Sequence, residues 1–481
     1  MPLAPANAQR AAIPATPGRR ARWVAAGLFC LLAVVYVANL RNVGTGDTAA
    51  VRYVPFSILN RHSLNVDGYI DRLARPYLDG TIPYGVYFAT RARGHWMSSY
   101  PLLTPVVVTP LYVVPAWWVE HKHIAPDSDA MLFLATAMDK LSGALLAALS
   151  VAIFYLAVRR VLPSRSSLLL TLVYGLASPT WTVSSQALWL HGLTEVSFAL
   201  LLWALLADDG SNRSAFWIGL ALALAVANKL TNGVVALPVI IWFCWRALRG
   251  DPTLPRAPRL TAFFAPLVAL GSLVLVYNLY YFGSMFGAYE QAFQTLGYAG
   301  IGSGLHGSLL QGVAGMLVSP SRGLFVYVPW TLLALWGAVR LFRDREHGWE
   351  PWLIAGALLN FLCYAKLERW YAGYTYGPRY CTDIMPILAF CLVPLWQTAS
   401  RMVLRTVLAA TVALALAVQG LGAFCYPNGD WNAKPINVDL APQRVWDWRD
   451  PQILRTLRAG PAPSKLLDHL RGVHHYDDAA K

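Results

Sequence analysis

Several ionisable residues stand in or beside the apolar stretches of this chain: Asp47, Asp139, Lys140, His191, Glu195, Lys229, Arg322, Glu368, Arg369, Arg379 and Asp383. A charge at the centre of a membrane helix costs about 2.5–3.5 kcal/mol, so each of them needs a reason to be there. Chemistry is one reason. An acid at the rim of a bilayer can take a proton, and cations fixed in a poorly hydrated site can stabilise a developing anion. Plain structure is the other. Asp47 is equally explained as a helix cap, Asp139 and Lys140 as the junction of a span with water, and Arg322 as a snorkelling side chain. His191 with Glu195 and Arg379 with Asp383 are each four residues apart, so either pair can be bonded along one helix face. Single residues do not decide between the readings, but their convergence on one side of the membrane points to an outward-facing polar cavity.

Composition says what kind of chain holds these groups. The chain has 481 residues, is 56% hydrophobic and only 13% charged, and carries a net charge of +14, with a mean hydropathy of +0.44. These values exclude an ordinary soluble enzyme and describe a polytopic membrane protein. The arginines fall in short runs between apolar segments, which is how membrane topology is written, so nucleic acid is not the expected partner. The six cysteines lie in or beside apolar runs without metal spacing and read as packing residues; a Cys381–Cys425 disulfide is conceivable but not favoured.

Residues 1–22 read as a disordered basic cytoplasmic tail, and 23–40 as an uncleaved first span. Further spans are expected at 131–156, 167–184, 188–206, 215–227, 233–245, 260–282, 323–341, 351–364, 380–396 and 402–424, about eleven in all. The run from Tyr100 to Val119 is long enough to cross, but Pro101, Pro105, Pro110 and Pro115 disfavour a continuous helix. Counting it as a span would also turn Arg159, Arg160 and Arg165 outward against the positive-inside rule, so it is read as interfacial. Two outer loops then result, 41–130 and 283–322, the second containing a glycine-rich run from 297 to 308 that reads as a mobile loop or a lid. No strand precedes those glycines, which argues against a nucleotide site. Within the first loop, Thr48–Asn60 and Asp67–Leu78 have amphipathic helical spacing, the latter with Asp67 as N-cap, and both are expected to lie on the membrane surface. His121, His123, Asp127 and Asp129 have metal-ligand chemistry but sit in a linker and read as a solvated loop. Residues 425–481 read as a small outer tail packed by Trp446 and Trp448.

An acid soon after the first span, interfacial helices, a proline-interrupted stretch and a later outer loop ending near a basic residue resemble the GT-C superfamily of integral-membrane glycosyltransferases. The likeness is to the branch of protein O-mannosyltransferases and lipid A aminoarabinose transferases. It implies an all-α GT-C fold over 23–424 and transfer of a sugar from a polyprenyl-phosphate donor to a glycolipid, polysaccharide or protein acceptor outside the cytoplasm. The Ala- and Arg-rich composition and the positive-inside threading point to a bacterial inner membrane, with the N-terminus cytoplasmic and the active face in the periplasm. By that resemblance Asp47 is the catalytic base and Arg322 meets the donor phosphate. Two departures are visible: Tyr100-Pro101-Leu102 stands where the family has paired prolines, and Thr48 where a second acid adjoins the first, which leaves a divalent metal open.

A polyprenyl phosphate keeps its tail in the bilayer and its sugar at the interface, so catalytic groups belong at headgroup depth. Arg379 and Lys229 are expected to assist Arg322 at the phosphate. Trp370, Tyr371 and Tyr374 offer a wall for a pyranose or, equally, interfacial anchors. His191, Glu195, Glu368 and Arg369 are candidates for sugar or acceptor hydroxyls. A flippase of lipid-linked sugars predicts repeated halves or mid-membrane charges, and an O-antigen ligase predicts its catalytic loop late in the chain; the sequence has neither pattern.

Overall fold

The computed structural model describes residues 18–79, 85–249, 256–295, 301–344, 348–398, 402–427 and 429–470. Most of the basic tail and part of the glycine-rich run, including Gly297 and Gly300, lie outside them. The described chain is helical apart from one hairpin, in which Ala89–Ala92 pairs antiparallel with His95–Ser98. Among the described residues, seven helical segments are long and apolar enough to cross a membrane: Arg19–Val37, Leu103–His121, Asp129–Val158, Leu230–Arg249, Arg256–Phe282, Arg379–Gln397 and Met402–Cys425. Shorter apolar helices at Leu190–Leu206, Leu309–Val318 and Glu350–Ala365 accompany them. The protein is thus a multi-pass membrane protein.

The helix Asp129–Val158 lies at the centre. Ser128 caps it, its hydroxyl accepting from the Met131 amide at 3.2 Å, and small residues along it, Ala135, Gly143, Ala144, Ala147 and Ala148, let neighbours approach. It packs against Arg19–Val37 on one side and Leu190–Leu206 on the other. At Gly143 the approach is so close that a Cβ would stand 2.1 Å from the Ala187 carbonyl oxygen. Gly219 plays the same part between Asn212–Asn228 and Arg256–Phe282, where a Cβ would be 1.9 Å from the Phe263 oxygen.

The proline-rich stretch is helical almost throughout, as Leu103–Val108, a 3-10 turn Thr109–Tyr112 and Val113–His121. Pro105, Pro110 and Pro115 each fall in the first turn of a new segment, where an amide proton has no helical acceptor to lose. The prolines thus divide the stretch into short helical segments joined by a 3-10 turn, not one continuous helix. The expected helix Thr48–Asn60 forms in pieces, Gly46–Ala49, Val51–Tyr53 and Val54–Arg61. Its apolar face is covered by protein, with Phe56 edge-on to Tyr112 at 5.0 Å. The next helix starts at Asp71, not Asp67. Asp67 instead ties the hairpin, accepting from the Trp96 amide at 2.6 Å and pairing with His95 at 2.6 Å.

Two expected spans are interrupted. After Leu176 the chain turns through Pro179 into a π-helical turn, Thr180–Ser184, and Pro329 separates Leu324–Tyr327 from Thr331–Asp344. The first helix begins at Arg19, inside the segment read as tail. All six cysteines are free. Of the two tryptophans expected to pack the C-terminal segment, Trp446 lies against Trp370 at 5.7 Å, whereas Trp448 is exposed.

Candidate active site

Asp47 sits in a short helix capped by Thr45, whose hydroxyl accepts from the Asp47 amide at 3.3 Å. The loop carrying it is pinned from behind by Asp139, which accepts from Asn42 Nδ2 at 2.8 Å, Thr48 Oγ1 at 3.3 Å and the Leu188 amide at 2.5 Å. Lys140 holds the same segment from the other side, donating to the Ser185 carbonyl at 3.1 Å and to Gln186 Oε1 at 2.9 Å; Gln186 Oε1 also accepts from Asn39 at 2.7 Å. Asp139 and Lys140 are therefore buried positioning groups for the loop, not markers of a water boundary.

Both oxygens of Asp47 are held. The Tyr100 hydroxyl donates to Oδ1 at 2.7 Å, and Arg379 Nη1 donates to Oδ2 at 2.8 Å. The carboxylate nevertheless keeps 26% of its side-chain surface exposed. Burial, reinforced by the neighbouring Asp47 charge, pushes the Tyr100 phenol well above its usual range, so it stays a hydrogen-bond donor. Tyr87 abuts the same turn, and a Cβ at Gly46 would stand 2.1 Å from its hydroxyl, so glycine is needed there.

Arg379 lies over the Trp189 ring at 4.9 Å, and its Nη2 donates to the Ala372 carbonyl at 3.0 Å. Its Nε–H is buried and has no hydrogen-bond partner. Ala372 and Gly373 both adopt positive φ, +63° and +60°, a left-handed turn that costs Ala372 about 1 kcal/mol or more. This turn aims the two carbonyls at Arg379 and Arg322.

A second charged cluster lies beside Trp189, whose ring is 6.1 Å from that of His191. Asp383, fully buried, accepts from His191 Nδ1 at 2.6 Å and from Lys229 Nζ at 2.7 Å. Lys229 lies over Tyr364 at 5.1 Å, and Tyr364 stacks on Tyr380 at 4.4 Å, next in sequence to Arg379. Burial disfavours the Lys229 ammonium, but the Asp383 carboxylate outweighs it and raises the amine above its ordinary range. The lysine is held as a cation.

The four-residue pairs that spacing allows do not form. Arg379 bonds Asp47 and not Asp383, and His191 bonds Asp383 and not Glu195. Glu195 is fully buried one turn below His191, accepting from Thr180 Oγ1 at 2.6 Å, with Oε2 buried and unpartnered. Arg322 does not snorkel and is not presented for a phosphate. Its donors are taken by the Tyr371 carbonyl at 2.8 Å, Ser321 O at 2.7 Å, Gly373 O at 3.0 Å, Gln452 Oε1 at 3.0 Å and Asn432 Oδ1 at 2.7 Å. Trp370 is buried against Gly315 and Trp446, and Tyr371 is buried too, so neither is an open wall. Tyr374 and Arg369 are half-buried, and Glu368 is exposed, its amide donating to Gly304 O at 2.9 Å.

No family model and no curated protein sequence matches the chain. In backbone fold it is similar to the crystal structure of ArnT from Cupriavidus metallidurans bound to undecaprenyl phosphate, at 15% identity and a TM-score of 0.48, covering 88% of this chain and 68% of that one. The site described above is built from this chain's own residues.

Sequence reasoning missed Tyr100, Trp189 and Gln452. Tyr100 was visible only as the residue before a proline. Gln452 is buried, and its Oε1 accepts from Arg322, from the Tyr327 hydroxyl at 3.1 Å and from the Gly377 amide at 3.0 Å. No local pattern distinguishes it from any glutamine of a polar tail. Among the described residues no group of three or more His, Cys, Asp or Glu side chains gathers as a metal site.

Proposed function

We propose that the protein is a membrane glycosyltransferase that moves a sugar from a polyprenyl-phosphate donor to a hydroxyl of an extracytoplasmic acceptor, a glycolipid, a polysaccharide or a protein. The observation that carries this reading is Asp47, a partly exposed carboxylate oriented by a phenol on one oxygen and a guanidinium on the other. As general base it takes the proton of the acceptor hydroxyl while that oxygen attacks the anomeric carbon opposite the phosphate, so configuration inverts. Charge then develops on the departing phosphate. Arg379, with its Nε–H unengaged, and Lys229, with donors beyond the one given to Asp383, are the groups assigned to it. Arg322 is left as a structural cation, and His191, held by Asp383 beside Trp189, is assigned to a substrate hydroxyl. The protein belongs, on this reading, in a bacterial inner membrane with the site on the periplasmic face.

The test is release of free polyprenyl phosphate from a panel of polyprenyl-phosphate sugars, with membrane extract supplying acceptors. Turnover by the parent and a loss of about 10²-fold or more in Asp47→Asn are expected. Equal turnover in both would remove Asp47 from the chemistry, and no turnover with any donor would remove the enzyme class.

A further inference from the structure

The C-terminal segment brings a further carboxylate to the Ala372–Gly373 turn beside the candidate site, and nothing in its sequence announces it. Asp439 is partly buried, and its Oδ1 is a buried oxygen with no hydrogen-bond partner. Buried carboxylate oxygens are normally satisfied, so an orphan one calls for a donor from outside the chain. Its place is specific. A Cβ built at Gly373 would lie 3.9 Å and 4.0 Å from the two Asp439 oxygens, which sets the carboxylate against the left-handed Ala372–Gly373 turn. That turn gives the Ala372 carbonyl to Arg379, and Arg379 grips Asp47.

The chemistry of the neighbourhood selects the missing donor. Arg379 and Arg322 already bracket the turn through the Ala372 and Gly373 carbonyls. Two cations thus already balance the charges of Asp47 and Asp439, so the orphan oxygen needs a donor and not a further charge. A neutral hydroxyl donates to a carboxylate oxygen without adding charge, and a sugar held for attack at Asp47 offers several. Building on the glycosyl-transfer reading, we infer that Asp439 accepts a hydrogen bond from one ring hydroxyl of the transferred sugar and so sets which sugar the enzyme moves.

The experiment uses the full chain in lipid nanodiscs, the polyprenyl-phosphate sugar it turns over best, and that donor's monodeoxy analogues. Asp439→Ala and Asp439→Asn are compared with the parent by kcat/KM for polyprenyl phosphate release. The parent should discriminate by about 10- to 100-fold against one deoxy analogue, the range of a hydrogen bond to a charged group. Asp439→Ala should lose a similar factor on the full sugar and nothing further on that analogue, while Asp439→Asn, which keeps an acceptor oxygen, falls between. Thermal unfolding is followed in parallel, and if Asp439→Ala unfolds below the assay temperature the same comparison is read from Asp439→Asn. A uniform loss on every donor, or no loss on any, would overturn the inference while leaving glycosyl transfer intact. Absence of turnover by the parent on every donor would overturn both.

Discussion

On the proposed reading Arg379 carries two tasks: Nη1 holds Asp47 at 2.8 Å, and the unengaged Nε–H is assigned to the departing phosphate. A lysine has neither the planar fork nor the same stacking on Trp189, so Arg379→Lys should not restore function. We expect Arg379→Ala to lower kcat about 10²- to 10³-fold and Arg379→Lys to recover less than about a tenth of the parent rate, measured by polyprenyl phosphate release at saturating donor. A parent-like Arg379→Lys would show that only a point charge is needed. The candidate charges were legible in the sequence because an ionisable group among apolar neighbours is expensive and stands out. Their pairing was not. Helical spacing offered Arg379 with Asp383 and His191 with Glu195, but Arg379 and Asp383 lie in a 3-10 turn, where residues four apart do not share a face. Partners 332 and 192 residues away took the bonds instead.

At the scale of elements, small residues decide how tightly the loop of Asp47 is held. Gly143 lets the central helix meet the Ala187 carbonyl, and the next residue, Leu188, donates its amide to Asp139, which also pins Asn42 and Thr48. A methyl at Gly143 would press on backbone that has no rotamer to yield. Gly143→Ala should therefore destabilise the protein by about 1–3 kcal/mol and lower turnover through displacement of the Asp47 loop. The check is unfolding in detergent alongside the release assay, with Gly271→Ala as control, since a Cβ there meets nothing within 4 Å. Most long helices were legible because a run of about 20 apolar residues leaves few alternatives. The interruption of Leu103–His121 was legible from its prolines, each of which is tolerated only in the first turn of a new segment.

Across the whole molecule, the segment after the last span closes the structure onto the candidate site. Gln452 joins Arg322, Tyr327, Gly377 and Thr375, the last through Nε2 to the carbonyl at 2.8 Å. Arg322 in turn holds the Gly373 carbonyl, so one buried amide supports both ends of the turn that aims Arg379. The sequence showed this region as a polar tail, because the donors it satisfies come from segments 75 to 130 residues earlier in the chain. Removing the amide would leave the Arg322 guanidinium, a phenol and a backbone N–H each short of an acceptor in a dry interior. Gln452→Ala should cost about 3 kcal/mol of stability and reduce polyprenyl phosphate release even where the protein remains folded, since Gly377 stands two residues before Arg379. Trp448→Ala, at an exposed position of the same segment, should change neither. If Gln452→Ala lowered the unfolding midpoint but left turnover per folded molecule at the parent level, the segment would be a structural clasp, and the site would be complete without it.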